Sequence, residues 1–207
     1  MAVIAGYTTL LSEVASWLAR SDLTSAIPGF IQNFEERFFR NPLNYGPWMH
    51  SALNVSFSST ATVPADCLTV KTAYLNGQSN TPLIASSLEQ VLTSYPRTRS
   101  GKPRWIARDG ANFVFGPAPD GTYTLNGTYF AKPTVLRSYA SDAAAHWLVV
   151  NAPDLLLYGS LMEAQPYVMN EKRLPLWQSK YDEAVSEYRA LMKAQNVSGG
   201  TLQTLVV

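Results

Sequence analysis

The sequence GKPRWIARDG at residues 101–110 is followed by FVFGPAPDG at 113–121 and by YTLNGTYF at 123–130. Asp-Gly between two apolar runs is a strong hairpin signal, because a type I′ turn requires positive φ at both central residues. The signal occurs at Asp109-Gly110 and again at Asp120-Gly121. Residues 123–130 then alternate with the period of a strand. We therefore predict a compact antiparallel meander, in which no residue pattern resembles an active site.

Helical periodicity lies on both sides of this meander. Pro28 and Pro153 each stand where a first helical turn tolerates proline, since the missing N–H would be unpaired there anyway. Pro166 should kink or end the helix that begins at Pro153. Between 42 and 85 we expect two or three strands. The apolar spacing predicts helices at about 8–20, 28–39, 87–95, 143–150, from 153 to Pro166, and 173–195.

These elements predict an α+β fold. The N-terminal residues 1–41 and residues 136–197 form one helical bundle, residues 42–135 form an inserted antiparallel β-rich lobe, and residues 198–207 form a C-terminal docking tail. The predicted bundle core is apolar and aromatic. It comprises Leu10, Val14, Trp17, Phe30, Phe34, Leu157, Leu161, Trp177, Tyr181 and Val185.

The composition restricts the classes of partner. Charged residues make up 15% of the chain, against roughly 25% in a typical globular protein. A low-charge, aromatic-rich surface fits coverage by other chains; an adhesive but monomeric domain is the alternative. The net charge of +1 argues against wholesale wrapping of nucleic acid, although DNA could still pass the surface. No run approaches the length of a membrane-spanning helix, and the N-terminus lacks the pattern of a signal peptide.

The sequence predicts no catalytic site, metal site or cofactor. Cys67 is the only cysteine, which excludes an intrachain disulfide and a cysteine-based zinc site and fits a reducing compartment. His50 and His146 are far apart and belong to no metal-binding spacing. We interpret His50 as a loop residue and His146 as a structural residue of an apolar helix. We therefore expect a protein without enzymatic activity.

One cluster of positive charge precedes and enters the meander. It comprises Arg97, Arg99, Lys102, Arg104 and Arg108. Such a cluster could contact DNA phosphates, bind acidic residues of a partner protein, or simply be a solvated loop. The sequence leaves these three interpretations open.

The C-terminal segment is the second candidate interaction site. Gly199-Gly200 follows the last helix and provides a flexible hinge. The next residues are apolar and prone to form a strand, which suits addition of a strand to a partner sheet. The candidate docking residues are Leu202, Leu205, Val206 and Val207.

Several pieces of the chain together resemble the tailed-bacteriophage head-to-tail adaptor proteins, also called head completion or connector proteins, and more narrowly the podovirus-type phage adaptor group. The pieces occur in the expected order along nearly the whole chain. They are Asp22-Leu23, Ile27-Pro28-Gly29-Phe30-Ile31, Glu35 and Arg40; residues 101–105 with 113–121; Asn151 to Ala164; and Trp177 with Tyr181 before the rest of the long terminal helix.

The resemblance implies a structural virion protein at the head-tail junction, assembled in the host cytoplasm without a membrane. It implies a ring, usually of twelve copies, between the portal protein and the next tail or nozzle protein. Double-stranded DNA would pass through the lumen non-specifically. The family has no known chemistry. A tail-assembly chaperone, or a minor capsid or tail binding module without ring formation, is the alternative.

Overall fold

The computed structural model describes residues 3–96, 98–139, 146–168 and 172–197 of the 207-residue chain. The described part mixes helices with antiparallel and mixed sheets, which confirms the predicted α+β class. The helices are α1 Tyr7–Leu18, α2 Ile27–Arg40, α3 Leu88–Ser94, α4 Trp147–Asn151, α5 Pro153–Glu163 and α6 Leu174–Val197. The strands are β1 His50–Phe57, β2 Ala61–Thr62, β3 Cys67–Leu75, β4 Ile84–Ala85, β5 Trp105–Asp109, β6 Asn112–Gly116 and β7 Tyr123–Ala131.

The described residues fall into two compact units. The helical unit contains those up to Trp48 and those from Thr134 onward, with helices α1, α2, α4, α5 and α6. The β unit runs from Met49 to Pro133 and contains the seven strands and helix α3. In the sequence, the β unit is therefore an insertion between two segments that both belong to the helical unit.

The helical unit is organised around α5, which packs against α1, α2, α4 and α6. Its sequence, PDLLLYGSLME, is apolar on most of its circumference, as expected for a helix surrounded by others. Gly159 allows a close contact with α2, because a Cβ there would lie 2.2 Å from the ring of Phe34. Eight of the ten predicted core residues are buried; the other two, Trp17 and Tyr181, are half-buried at the edge of the core.

The β unit is a sandwich of two sheets. Strands β1, β7 and β3 form an antiparallel sheet in that order, and β2, β6, β5 and β4 form a mixed sheet in which β4 runs parallel to β5. The rings of Phe57 and Phe115 stack between the sheets, with centroids 4.1 Å apart. Leu53 and Leu125 from one sheet and Phe113 from the other fill the same core.

Helix α3 forms a third layer on the mixed sheet. Val91 packs against Ala107 of β5 and Val114 of β6, and all three side chains are buried. Ser87 caps the helix by accepting a hydrogen bond from the N–H of Gln90 at 3.2 Å. Both faces of the mixed sheet are therefore covered, one by the first sheet and one by α3.

The meander prediction is wrong in its connectivity. Strands β5 and β6 form the predicted hairpin, but β6 does not pair with β7, which lies at the centre of the other sheet. Pro117 and Pro119 immediately follow β6 and have no N–H to continue its ladder. The segment that contains Asp120-Gly121 thus carries the chain from one sheet to the other instead of closing a tight hairpin.

The first turn also differs in detail from the prediction. Asp109 and Asn112 are paired, so the two central residues are Gly110 and Ala111 and not Asp109 and Gly110. Positive φ occurs at Gly110 (56°) and not at Ala111. Glycine at the first central position with positive φ is the type II′ pattern, which also matches the twist of a hairpin. The signal located the hairpin correctly but gave the wrong turn type.

Candidate functional site: a basic groove on the β unit

The predicted basic cluster lies in the β unit, although Arg97 is outside the described residues. Arg99 and Lys102 lie in the segment before β5, Arg104 immediately precedes that strand, and Arg108 belongs to it. Hydrogen bonds hold this segment along the sheet: the N–H of Gly101 donates to Ala118 O at 2.8 Å. The side chains of Arg99, Lys102 and Arg104 are exposed.

Arg108 differs from the other members of the cluster. Its Nη1 donates to the carbonyls of Cys67 at 3.1 Å and Leu68 at 3.4 Å, and its Nε donates to Gly110 O at 3.2 Å. These bonds tie β5 to the start of β3 and to the hairpin turn. Fewer of its N–H donors are left for an external phosphate or carboxylate than in Arg99 or Arg104.

Lys102 and Arg104 line a groove with a volume of about 330 Å³. The Nζ of Lys102 donates to Gln78 Oε1 at 2.7 Å, which holds the ammonium at the groove wall. None of the lining residues is acidic, and the apolar part of the wall includes Ile84, which is 52% exposed. The full lining is Leu75, Gln78, Thr81, Pro82, Leu83, Ile84, Lys102, Pro103 and Arg104. This arrangement suits a ligand that combines negative charge with apolar surface.

Two backbone hydrogen bonds of the segment at β4 position one wall of this groove. The N–H of Ile84 donates to Arg104 O at 2.9 Å, which seats β4 beside β5. The N–H of Leu83 donates to Ala73 O at 2.7 Å and connects the same segment to β3 of the other sheet. Sequence reasoning missed the contribution of residues 75–84 to the site, because a two-residue strand is too short to show alternation. The signal that could have indicated this contribution was the Asn76-Gly77 turn followed by the apolar Pro82-Leu83-Ile84.

His50 is not a loop residue, in contrast to the prediction. It begins β1, where its Nε2 lies 3.2 Å from Lys71 Nζ and its ring packs edge-on against Phe130. Burial, assisted by the nearby Lys71 charge, lowers the pKa of His50 below its usual value. A neutral imidazole beside an ammonium accepts a hydrogen bond, which is a structural role in the sheet.

His146 is buried at the start of α4, with 2% of its surface exposed. Its ring lies between Tyr139 and Trp48, with centroid distances of 5.5 and 6.1 Å. Neither ring nitrogen has a hydrogen-bond partner among the described residues. Burial lowers the pKa of His146, so the neutral form is favoured in this aromatic environment. The described chain thus supports the structural interpretation of this histidine.

Other reactive groups of the described chain are engaged in packing. Cys67 is buried in the sandwich core, and burial raises the pKa of its thiol. Glu35 is 2% exposed and accepts a hydrogen bond from the N–H of Leu136 at 2.9 Å. The residues that the structure describes contain no group of three or more His, Cys, Asp or Glu side chains arranged to hold a metal ion. None of the helices described has the length and apolar character needed to cross a membrane.

The predicted docking residues Leu202, Leu205, Val206 and Val207 lie outside the described residues. No curated protein matches the chain. The family model described as SU10 adaptor protein matches residues 5–203, which is nearly the entire sequence. The chain therefore belongs to the SU10 adaptor protein family and is a phage adaptor protein, a structural component of the virion.

Proposed function

We propose that this adaptor forms a twelve-copy ring at the head-tail junction. In this proposal the ring binds the portal protein on one side and the tail or nozzle protein on the other. Double-stranded DNA passes through the lumen without sequence-specific contacts. The ring assembles in the host cytoplasm without a membrane, a cofactor or an enzymatic step. The match to an adaptor family over residues 5–203 is the observation that carries the proposal.

The distribution of charge supports contact with a polyanion or an acidic partner. In the complete sequence, residues 49–133 include seven Lys or Arg and four Asp or Glu, whereas the rest includes nine and eleven. The β unit is therefore the positive part of a nearly neutral chain. Its groove presents Lys102 and Arg104 without an acidic residue in the wall. A surface of this kind attracts DNA phosphates or carboxylates through salt-sensitive contacts.

Ring formation is tested with the purified protein and the portal of the same virus. Electron microscopy and native mass spectrometry should show closed rings on the portal, whether or not the free protein already assembles. A protein that stays monomeric in the presence of the portal and binds only an unassembled tail protein would contradict the ring. That result would instead support the alternative function as a tail-assembly chaperone or a minor capsid or tail binding module.

The role of the basic cluster is tested by replacing Arg99 and the two groove residues Lys102 and Arg104 together with Ala. If these cations line the DNA channel, particles assemble normally but DNA ejection slows or loses part of its salt dependence. If they bind the portal, attachment of the ring fails. Lys193→Ala on α6 removes an exposed charge far from the cluster in sequence and is the control. Wild-type attachment and ejection in the triple variant would exclude both roles.

Arg97 and Arg108 are tested separately because their situations differ. Arg108→Ala removes hydrogen bonds to three backbone carbonyls and should lower the stability of the β unit as well as the local charge. Arg97→Ala changes the charge at a position outside the described residues. Attachment and ejection with each variant show whether the functional cluster extends beyond Arg99, Lys102 and Arg104.

A further inference from the structure

Strand β1 has one edge that pairs with no other strand of the described residues. It is the outer strand of the order β1, β7, β3, and its eight residues pair only with β7. Among the described residues, no backbone hydrogen bond joins β1 to anything other than that neighbour. N–H and C=O groups along a strand point alternately to its two sides, so about half of those in β1 face away from the sheet. Ala52, Asn54 and Ser56 are exposed.

The other sheet edges are protected by recognised devices, whereas β1 is not. Strands β2 and β4 contain only two residues each. Strand β3 has register irregularities on either side of Thr69, carries Lys71, and is bridged to Pro82 at Tyr74. Short strands, charges, prolines and bulges all prevent further pairing at an edge. The sequence of β1, HSALNVSF, contains no proline, Lys, Arg, Asp or Glu, and its pairing with β7 shows no register shift.

The tail of the same chain has the chemistry of a matching strand. Residues 201–207 read TLQTLVV, which contains no charge, proline or glycine and is rich in residues that favour strands. Seven extended residues span about 23 Å and the eight of β1 about 27 Å, so one tail covers one edge. Gly199-Gly200 separates this segment from α6 and permits a change of direction.

We infer that residues 201–207 of one copy add as a fourth strand to the β1 edge of a neighbouring copy. This inference rests on the proposed ring and names the contact that links its subunits. The added strand satisfies the outward N–H and C=O groups of β1 and gives the apolar tail a sheet to pack along. Exchange of a short segment between identical chains joins them at low cost, because each copy has both the strand and the edge.

Disulfide trapping in full-length chains tests the contact. One variant carries Asn54→Cys, in the middle of β1, and a second carries Thr204→Cys or Leu205→Cys, two neighbouring positions that cover both faces of an added strand. The variants are mixed with the portal and oxidised, and cross-linked heterodimers are measured by mass spectrometry. We expect heterodimers between the Asn54→Cys chain and a chain with a cysteine in its tail. They should be lost when Thr204→Pro is added to the Leu205→Cys variant, because proline cannot donate the hydrogen bond of a paired strand.

Glu89→Cys provides the matched control, since it is exposed in the same unit but lies on α3 and not on the sheet edge. The native Cys67 is present in every sample and is buried. Equal cross-linking of Asn54→Cys and Glu89→Cys to the tail overturns the inference. In a double variant that carries both Asn54→Cys and Leu205→Cys, a cross-link that forms only within one chain also overturns it.

The assembly state separates this inference from the ring proposal. Closed rings on the portal without an Asn54–tail cross-link overturn the strand exchange and leave the ring intact. Asn54–tail heterodimers without rings support the strand exchange and contradict the ring. Cross-linked rings support both.

Discussion

Trp177 of α6 is the largest fully buried side chain of the described residues, so its removal should strongly destabilise the helical unit. It is fully buried, and the guanidinium of Arg173 lies 5.0 Å from its ring centroid. Its indole N–H has no hydrogen-bond partner among the described residues. Nearly all of the contribution of Trp177 to stability therefore comes from packing and from the contact with Arg173. Trp177→Ala removes both and leaves a cavity between α6 and its neighbours.

The expected magnitude follows from this burial. Truncation of a buried tryptophan to alanine lowers the free energy of unfolding by ~3–5 kcal/mol. In a chain of this size each kcal/mol corresponds to ~2–4 °C in Tm, so Tm should fall by roughly 6–20 °C. Trp177→Phe keeps most of the apolar volume and removes an N–H that has no partner among the described residues. The free energy of unfolding should therefore fall less in Trp177→Phe than in Trp177→Ala.

Urea unfolding followed by circular dichroism at 222 nm measures these changes on the helices themselves. Leu176→Ala is the control, because Leu176 is adjacent but 56% exposed. It should change stability by no more than about 0.5 kcal/mol. A Trp177→Ala variant as stable as Leu176→Ala would refute the placement of Trp177 in the core.

Three further changes test the β unit, a buried carboxylate and the response to high pH. Gly127→Ala places a Cβ 2.0 Å from the backbone oxygen of Thr72. Thermal unfolding should therefore show that the free energy of unfolding falls by ~1–3 kcal/mol or more, to the point that the β unit does not fold. Glu35→Ala leaves the N–H of Leu136 without its carboxylate acceptor and should cost ~1–3 kcal/mol in urea unfolding. Burial raises the pKa of Tyr188 to about 12. Above a pH of about 10 the tyrosine ionises in the unfolded chain but not in the folded one, so the free energy of unfolding should fall as pH rises. Tyr188→Phe should weaken that fall.

Each of these changes has a matched comparison. Gly29→Ala adds a Cβ where nothing lies within 4 Å and should leave stability nearly unchanged or improve the helix. Glu35→Gln retains an acceptor oxygen and should recover much of the loss seen with Ala. Equal losses for Ala and Gln at Glu35 would contradict the role of its hydrogen bond. The Tyr188 argument fails if the phenylalanine variant loses stability above pH 10 as steeply as the wild type.

The helices were predictable because their signals are local. The long stripe before Gly199 gave α6, and Pro28 and Pro153 marked the first turns of α2 and α5 as the structure has them. A helix satisfies its backbone within four residues, so apolar spacing and end residues carry most of the information. The same reasoning gave the β5–β6 hairpin, whose partners are neighbours in sequence.

The candidate site was only partly predictable. The sequence showed the basic residues as a cluster of charges. It did not show which of them bind backbone carbonyls and which face a groove. The structure shows that Arg108 is bound to three carbonyls, whereas Lys102 and Arg104 face a groove whose other wall comes from residues 75–84. That wall depends on β4 lying parallel to β5, a pairing between segments about twenty residues apart that no local pattern specifies.

The sequence by itself determined the α+β class, the order of the helices, the hairpin at Gly110, and the resemblance to phage adaptors that the family match then showed. Tertiary structure alone decided that β6 and β7 belong to different sheets, that His50 begins a strand, and that β1 lies at an unprotected edge. The reason is that a strand takes its hydrogen-bond partners from distant parts of the chain. Its neighbours are therefore chosen by packing of the sandwich core, where Phe57 of one sheet stacks on Phe115 of the other.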